Sequence, residues 1–212
     1  MLTELFSNPF SFFTWVIALL VAITIHEFSH ALAADRLGDP TPRLEGRLTL
    51  NPLAHLDPIG TLMLLIARFG WGKPVPIDPY NLQNPRRDSA IISLAGPGSN
   101  FILATLLSVV LRLSLLGPFS ILAITFLTPI IILNVYLGLF NLLPVAPLDG
   151  FKIVLGFLPH DLAIQWEELE SYGLIFLLFL IFPFGGRTLI STILSPIINF
   201  IFSLLLPGPT LI

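Results

Sequence analysis

The sequence contains no cysteine, and charged residues occupy only 11% of its 212 positions. Without thiols the chain forms no disulfide, and any metal that it binds must be held by histidine and carboxylate side chains. A typical soluble domain is about 25% charged, whereas this chain is 55% hydrophobic and has a mean hydropathy of +0.90. The composition therefore predicts an integral membrane protein that contacts the lipid bilayer.

Basic residues are also scarce. Ten Lys and Arg stand against thirteen Asp and Glu, which gives a formal net charge of −3, and no basic cluster follows any apolar segment. We therefore expect no nucleic acid partner. A cleaved signal peptide is not expected either. Residues 31–33 (ALA) resemble a cleavage site, but the residues before them include Glu4 and lack the Lys or Arg of a signal peptide.

Residues 26–30 read HEFSH, an H-E-x-x-H pattern that follows a run without charged side chains, residues 10–25. On a helix, His26 and His30 lie about one turn apart on the same face, so both imidazoles can bind one ion. The glutamate of such a motif, here Glu27, acts as general base toward the attacking water. The pattern also arises by chance, but ionisable side chains inside a membrane segment are costly and indicate a functional site.

Long apolar segments predict a bundle of transmembrane helices. Crossing the bilayer core takes about 20 residues, and the candidates cover residues 10–37, 89–111, 119–143 and 188–206. Residues 171–186 are uncharged but slightly short, so whether they cross is left open. Residues 58–67 are too short and are interpreted as re-entrant or interfacial. The predicted fold class is an all-α integral membrane protein, one domain over residues 1–212 with about five transmembrane helices.

The polar stretch between the first two spans shows signs of extended structure. Three leucines in residues 43–51 share one parity, as in a strand with one apolar face. Val75 and Ile77 lie among glycine and prolines, a pattern typical of an edge strand. Together these segments predict a small β-sheet associated with the membrane.

The third span ends in NLLPVAPLDG, residues 141–150. Pro144 and Pro147 lack backbone donors and fix φ, so the helix is not expected to continue through them. Non-helical backbone at membrane depth is tolerated only where it is buried in protein or lines a wet cavity. Asp149 follows this break after 36 uncharged residues. Its carboxylate is the predicted third metal ligand.

Three other polar positions are candidate site residues. His55 and Asp57 are rival ligands, although His55 is equally well interpreted as a hydrogen-bonded histidine in a polar loop. Residues 151–158 are predicted to form a short apolar helix. The acidic segment after it is interpreted as a solvated loop, with His160 as an ordinary histidine.

Two further function classes use similar residues. A membrane metal-ion transporter also carries intramembrane His and Asp, but it usually spreads polar residues along a pathway between discontinuous helices. Here the polar residues concentrate at one depth. A catalytically inactive membrane binding protein is disfavoured because the glutamate and the aspartate that chemistry requires are both present.

The distribution of Lys and Arg predicts the orientation in the membrane. If the first span runs from outside to inside, only Arg112 and Arg187 fall outside. Eight basic residues then fall inside: Arg36, Arg43, Arg47, Arg68, Lys73, Arg86, Arg87 and Lys152. Because cytoplasmic loops are enriched in basic residues, we expect a multi-pass protein of the cell membrane with its active site toward the cytoplasmic side.

Several motifs together resemble one family. HEFSH in a membrane span, joined with NLLPVAPLDG at the end of a later span, is similar to the site-2 protease family of intramembrane zinc metalloproteases, in its compact bacterial and archaeal branch. Further matches are RLTLNPLAHLDPIGT at 47–61, WGKPVPI at 71–77 and SLAGPGSN at 93–100. The motifs cover most of residues 20–155. The resemblance implies hydrolysis of peptide bonds in membrane-spanning substrate proteins.

The resemblance also implies site residues and one Zn²⁺ per chain. The implied zinc ligands and catalytic base are His26, His30, Asp149 and Glu27. Asn141 matches a polar residue that holds substrate or transition-state charge, and His55 matches a histidine near the site. The sequence departs from many relatives because it shows no span before HEFSH and no PDZ-like or CBS-like domain, so gating by such a domain is not expected.

Overall fold

Three helices in the described part of the chain are long and apolar enough to cross a membrane. The computed structural model describes residues 7–67, 70–184 and 187–208. In chain order its helices are α1 (Pro9–Arg36), α2 (Thr41–Leu44), α3 (Pro58–Ala67), α4 (Pro85–Ser114), α5 (Ser120–Asn141), α6 (Asp149–Phe157), α7 (His160–Glu168), α8 (Gly173–Ile181) and α9 (Leu189–Leu205). The membrane-spanning candidates are α1, α4 and α5.

Local chemistry sets the ends of α1. The Asn8 side chain accepts a hydrogen bond from the Ser11 amide at 3.1 Å, and Pro9 occupies the first turn, where its missing N–H is not needed. After Arg36 the chain leaves the helix, and Gly38 takes a φ of +107°, which favours glycine. The helix therefore covers the predicted first span almost residue for residue.

The longest helix, α4, lies at the centre of the bundle and packs against α1, α5 and α6. The main apolar core lies between α4, α5 and α9, where Leu111, Ile131 and Leu194 are buried. The buried Ser108 side chain donates to the Leu205 carbonyl, and Arg112 donates to the Leu204 carbonyl at 2.5 Å. These two bonds fasten the carboxyl end of α9 to α4.

Buried polar contacts hold the loop that follows α1 against residues 78–81. Asp39 is completely buried and accepts hydrogen bonds from Thr41, from the Asp78 amide at 2.8 Å and from Asn81 at 3.0 Å. Burial acts to raise the pKa of Asp39, but these hydrogen bonds outweigh it and hold the pKa below its ordinary value. The buried Arg47 guanidinium donates to the carbonyls of residues 54, 73 and 74. These bonds hold residues 73 and 74, which lie outside regular secondary structure, against residue 54.

The predicted small β-sheet at 43–51 and 71–77 is not confirmed. Residues 41–44 form one helical turn and the chain then bends, with Gly46 at a φ of +69°. Leu44 and Leu50 are 80% and 58% exposed, so their alternation does not mark a buried strand face. One isolated bridge joins Leu56 and Gly72. The described strands lie elsewhere, where β1 (Pro183–Phe184) pairs antiparallel with β2 (Arg187–Thr188).

The described helices also refine the predicted bundle. The one α-helix in residues 171–184 is α8, whose nine residues extend about 14 Å and cannot cross a core of about 30 Å as a helix. The helix α9 has 17 residues, and α3 has ten, as expected of an interfacial or re-entrant segment. The count of about five spans is therefore not established, since three helices meet the length and composition of a span.

The segment 160–172 corrects one prediction. It was interpreted as a solvated loop, but it forms α7 and a 3₁₀ helix, Leu169–Tyr172. The Trp166 ring stacks on Phe151 with centroids 5.3 Å apart, and its indole N–H donates to the Phe151 carbonyl. This contact anchors the helix, while the acidic side chains remain exposed. His160 is exposed, as expected of an ordinary histidine.

Candidate metal centre

The two histidines of HEFSH lie on one face of α1 and meet the carboxylate of Asp149. The Nε2 atoms of His26 and His30 are 3.0 Å apart. The Oδ2 atom of Asp149 lies 3.1 Å from the His26 Nε2 and 3.2 Å from the His30 Nε2. His26 and His30 are buried. Three potential ligand atoms thus converge on one point, as predicted from the sequence.

The break after α5 delivers Asp149 to this point. Residues 142–148 are not helical, and Asp149 begins α6. A Cβ on Gly150 would lie 2.3 Å from the Leu143 carbonyl oxygen and 2.4 Å from that of Leu142. Only glycine therefore allows the first turn of α6 to pack so closely on the chain leaving α5. This contact explains why glycine follows the aspartate in the motif.

A glycine of α4 makes room for both rings. A Cβ on Gly96 would lie 2.4 Å from the His30 Nε2 and 2.7 Å from the His26 Cε1. Contacts shorter than 3.0 Å are essentially never made by a real Cβ. The absence of a side chain at position 96 is therefore a condition for the arrangement of the two imidazoles.

Hydrogen bonds at the opposite ring nitrogens orient both imidazoles. The Nδ1 of His30 lies 2.7 Å from the Ile92 carbonyl oxygen, and the Nδ1 of His26 lies 2.7 Å from the Asn100 Oδ1. The carbonyl oxygen and the amide oxygen both accept hydrogen bonds, so these contacts favour the tautomer with hydrogen on Nδ1, which leaves the Nε2 lone pair for a metal. Such partners are the usual means of fixing a metal-binding histidine.

The donor set fits a small divalent cation. The Asp149 Oδ2 is buried and makes no hydrogen bond of acceptable geometry, although it lies against two ring nitrogens. A buried carboxylate oxygen facing two lone pairs is unfavourable unless a cation lies between them. In a tetrahedral zinc site with bonds of about 2.0–2.1 Å, ligand atoms lie about 3.3–3.4 Å apart. The three observed distances, 3.0–3.2 Å, approach this spacing.

Glu27 lies at the edge of this centre and is half-buried. A Cβ on Gly72 would lie 3.8 Å from the Glu27 Oε1 and 3.1 Å from the His55 carbonyl oxygen. The Lys73 amide also donates to that carbonyl at 2.9 Å. The backbone at Gly72 therefore lies beside the carboxylate of the predicted general base.

The remaining predicted site residues lie outside the group of three. His55 is completely buried, and its Nε2 lies 2.8 Å from the Thr49 carbonyl oxygen. Asp57 accepts a hydrogen bond from the Gly60 amide and so caps α3. Asn141 donates to the Leu137 carbonyl at 3.0 Å. His55 and Asp57 are thus engaged elsewhere as hydrogen-bond partners, and the roles of His55 and Asn141 stay predictions.

Sequence reasoning did not assign a role to three residues around the centre. Gly96 and Asn100 belong to SLAGPGSN, which was noted only for its small residues and its resemblance. Asn134 interrupts the apolar helix α5 and is completely buried. A lone amide inside an apolar span is a signal that could have found Asn134, because polar side chains in membranes are costly and usually functional.

Comparison with known proteins identifies the relatives of this chain. A Bacillus subtilis (strain 168) protein named "Putative zinc metalloprotease YwhC" is 41% identical over 191 residues, which cover 87% of this chain and 85% of YwhC. The chain belongs to the site-2 protease family. A Mycobacterium tuberculosis (strain ATCC 25618 / H37Rv) protein named "Putative zinc metalloprotease Rip2" is 34% identical over 175 residues, which cover 79% of this chain and 66% of Rip2.

Two other comparisons found nothing. No model of a protein family matches the chain, and no solved structure matches it significantly.

Proposed function

We propose that this member of the site-2 protease family is a zinc-dependent endopeptidase that cleaves membrane-spanning proteins within or near the bilayer. The observation that carries the proposal is the convergence of His26, His30 and Asp149, with Glu27 next to the first of them in sequence. The names of YwhC and Rip2 describe them as zinc metalloproteases. The three helices of membrane-spanning length support an intramembrane site.

Two imidazoles and one carboxylate would bind one Zn²⁺ per chain. When bound, zinc supplies a Lewis acid that lowers the pKa of a water and polarises a carbonyl. Glu27 is not needed as a ligand, so its carboxylate accepts a proton from the attacking water and later delivers it to the leaving amine. Asn141 uses one N–H on the Leu137 carbonyl, and its second N–H supports the developing oxyanion.

The substrate must be extended where it is cut, because a helix hides its peptide bonds. In this proposal residues 73–78, which follow Gly72 beside Glu27, supply a matching surface when extended. Val75 and Ile77 lie two apart, so their N–H groups face the same edge of an extended chain. Among the described residues, neither N–H has a backbone hydrogen-bond partner. Pro74 and Pro76 cannot donate from the other edge. A substrate segment pairing along the Val75 edge would add a strand to this segment.

Proline at positions 75 and 77 tests this docking edge. The V75P/I77P double variant removes two donors, each worth about 0.5–1.5 kcal/mol, so cleavage of a membrane substrate should fall about tenfold or more. Bound zinc should be unchanged, because no metal ligand is touched. The matched control, P74A/P76A, changes the opposite edge and should cleave normally. Undiminished cleavage by the V75P/I77P variant would exclude this mode of docking.

Replacing Asp149 with Asn tests the metal assignment. The variant keeps the shape of the side chain but removes its charge, so zinc affinity should fall by more than about 100-fold, since changes to outer partners alone cost 10–100-fold. Metal analysis of the purified protein measures the content. Asp57→Asn is the matched control, because Asn caps a helix as well as Asp does and the α3 cap is retained. Zinc lost from the Asp57 variant but kept by the Asp149 variant would reverse the assignment.

We further infer that the active site faces the cytoplasm, because at least eight of the ten basic residues fall on the side of the membrane that the carboxyl end of α1 reaches, and cytoplasmic loops are enriched in basic residues. The chain has no cysteine, so single cysteines report their side of the membrane directly. Tyr80 and Leu116 are 97% and 88% exposed and lie in the segments before and after α4. In intact cells a membrane-impermeant maleimide should label L116C and not Y80C; the reverse pattern would invert the orientation.

A further inference from the structure

A line of buried amides connects α5 to the metal centre. Asn100 of α4 and Asn134 of α5 are both completely buried. The Asn100 Nδ2 lies 2.7 Å from the Asn134 Oδ1, and the Asn100 Oδ1 lies 2.7 Å from the His26 Nδ1. The Asn134 Nδ2 lies 2.8 Å from the Ile130 carbonyl oxygen of its own helix. Three membrane helices thus contribute one continuous hydrogen-bonded chain.

The chain has a direction that follows from donors and acceptors. The Ile130 carbonyl accepts only, so the Asn134 amide nitrogen faces it and the Asn134 Oδ1 faces Asn100. Asn100 donates to that oxygen and to the Ala22 carbonyl at 3.1 Å. Its Oδ1 is therefore left for His26. The His26 Nδ1 must then carry the hydrogen, and its Nε2 lone pair faces Asp149.

We propose that Asn134 is a positioning residue that sets the tautomer of His26 through Asn100. This inference rests on the proposed function, because the tautomer matters only if the His26 Nε2 binds a metal. We call the hydrogen-bonded pair Asn100 and Asn134 the relay. His30 needs no relay, since its Nδ1 donates directly to the Ile92 carbonyl. The centre therefore has one histidine oriented by the backbone and one oriented by two side chains from other helices.

A purely structural role makes a different prediction. Interhelical hydrogen bonds between amides hold membrane helices together, and leucine at position 134 would replace that contact by packing. An acidic residue there would be costly in an apolar bundle. Packing alone therefore predicts that Asn134→Leu is tolerated better than Asn134→Asp. The relay predicts the opposite order, because Asp keeps an acceptor oxygen for Asn100 and Leu does not.

The experiment compares N134L, N134D and the control S108A, each purified without metal in detergent. Like Asn100, Ser108 is a buried residue of α4 that donates to a carbonyl of another helix, but it lies outside the relay. Zinc affinity is measured by competition with a chromogenic chelator. The tautomer of His26 is read from the ¹⁵N shifts of its ring at one fixed pH. The wild-type protein should show hydrogen on Nδ1.

We expect N134L to bind zinc about tenfold more weakly and to show mixed tautomers at His26. N134D and S108A should keep both the affinity and the tautomer. Equal affinity and an unchanged tautomer in N134L would overturn the inference and leave the proposed function intact. Hydrogen on Nε2 in the wild-type protein would overturn it even if N134L fails to fold. A wild-type protein that binds no zinc would overturn the proposed function as well.

Discussion

Replacing Glu27 with Gln is expected to lower peptide cleavage by about 10²–10⁴-fold and to leave about one zinc per chain. Gln has the same size as Glu but cannot take a proton from water. Glu27 is half-buried beside Gly72 and stands apart from the three converging ligand atoms, so the metal set should survive. Cleavage of a membrane-spanning substrate in detergent and metal analysis of the same preparation measure the two effects.

The matched control is Glu167→Gln, which changes an exposed glutamate of α7 and should cleave like the wild-type protein. Full activity of the Glu27 variant would reassign the general base. The same variant separates a protease from a metal-ion transporter. Metal uptake into vesicles should survive the loss of a base. If the wild-type protein and the Glu27 variant both take up metal and neither cleaves the substrate, transport is favoured.

Replacing Gly96 with Ala is expected to lower zinc affinity by more than about 100-fold, as much as the loss of a ligand. The new Cβ would lie 2.4 Å from the His30 Nε2 and 2.7 Å from the His26 Cε1, so both rings must move. They have little freedom to do so, because their Nδ1 atoms are bonded to the Ile92 carbonyl and to Asn100. Chelator competition on the purified protein measures the loss.

The chain supplies a matched control for this variant two residues away. A Cβ on Gly98 meets no atom within 4 Å, so Gly98→Ala should bind zinc normally. Ala is favoured over Gly inside a helix by about 1 kcal/mol, and the G98A variant should therefore unfold at the same or a higher temperature. If the Gly96 and Gly98 variants bind zinc equally, the rings are not confined as described.

The convergence of His26, His30 and Asp149 was predictable because each of the three has a strong local signal. Histidines four apart in an uncharged run must share a helix face, and the structure places His26 and His30 together. The prolines before Asp149 predicted the end of α5, which stops at Asn141. A carboxylate emerging from such a break has few partners in an apolar bundle, and this physical constraint pointed to the histidines.

Other features were not predictable from local patterns. The relay through Asn100 and Asn134 depends on which helices become neighbours, and no spacing in the sequence specifies that. The predicted sheet failed for a related reason. The alternation of leucines at 43–51 matches a strand, but Leu44 and Leu50 are exposed. Pairing this segment with another strand would therefore bury no apolar face. The bend at Gly46 prevails instead.

The proposed metal ligands come from chain segments that are far apart in sequence. His26 and His30 belong to the first membrane helix, and Asp149 follows the last of the three long ones. A cation held by all three would act as a cross-link that closes a long loop, so its binding energy would also be folding energy. Chelators would then loosen the packing of the bundle as well as stop the reaction.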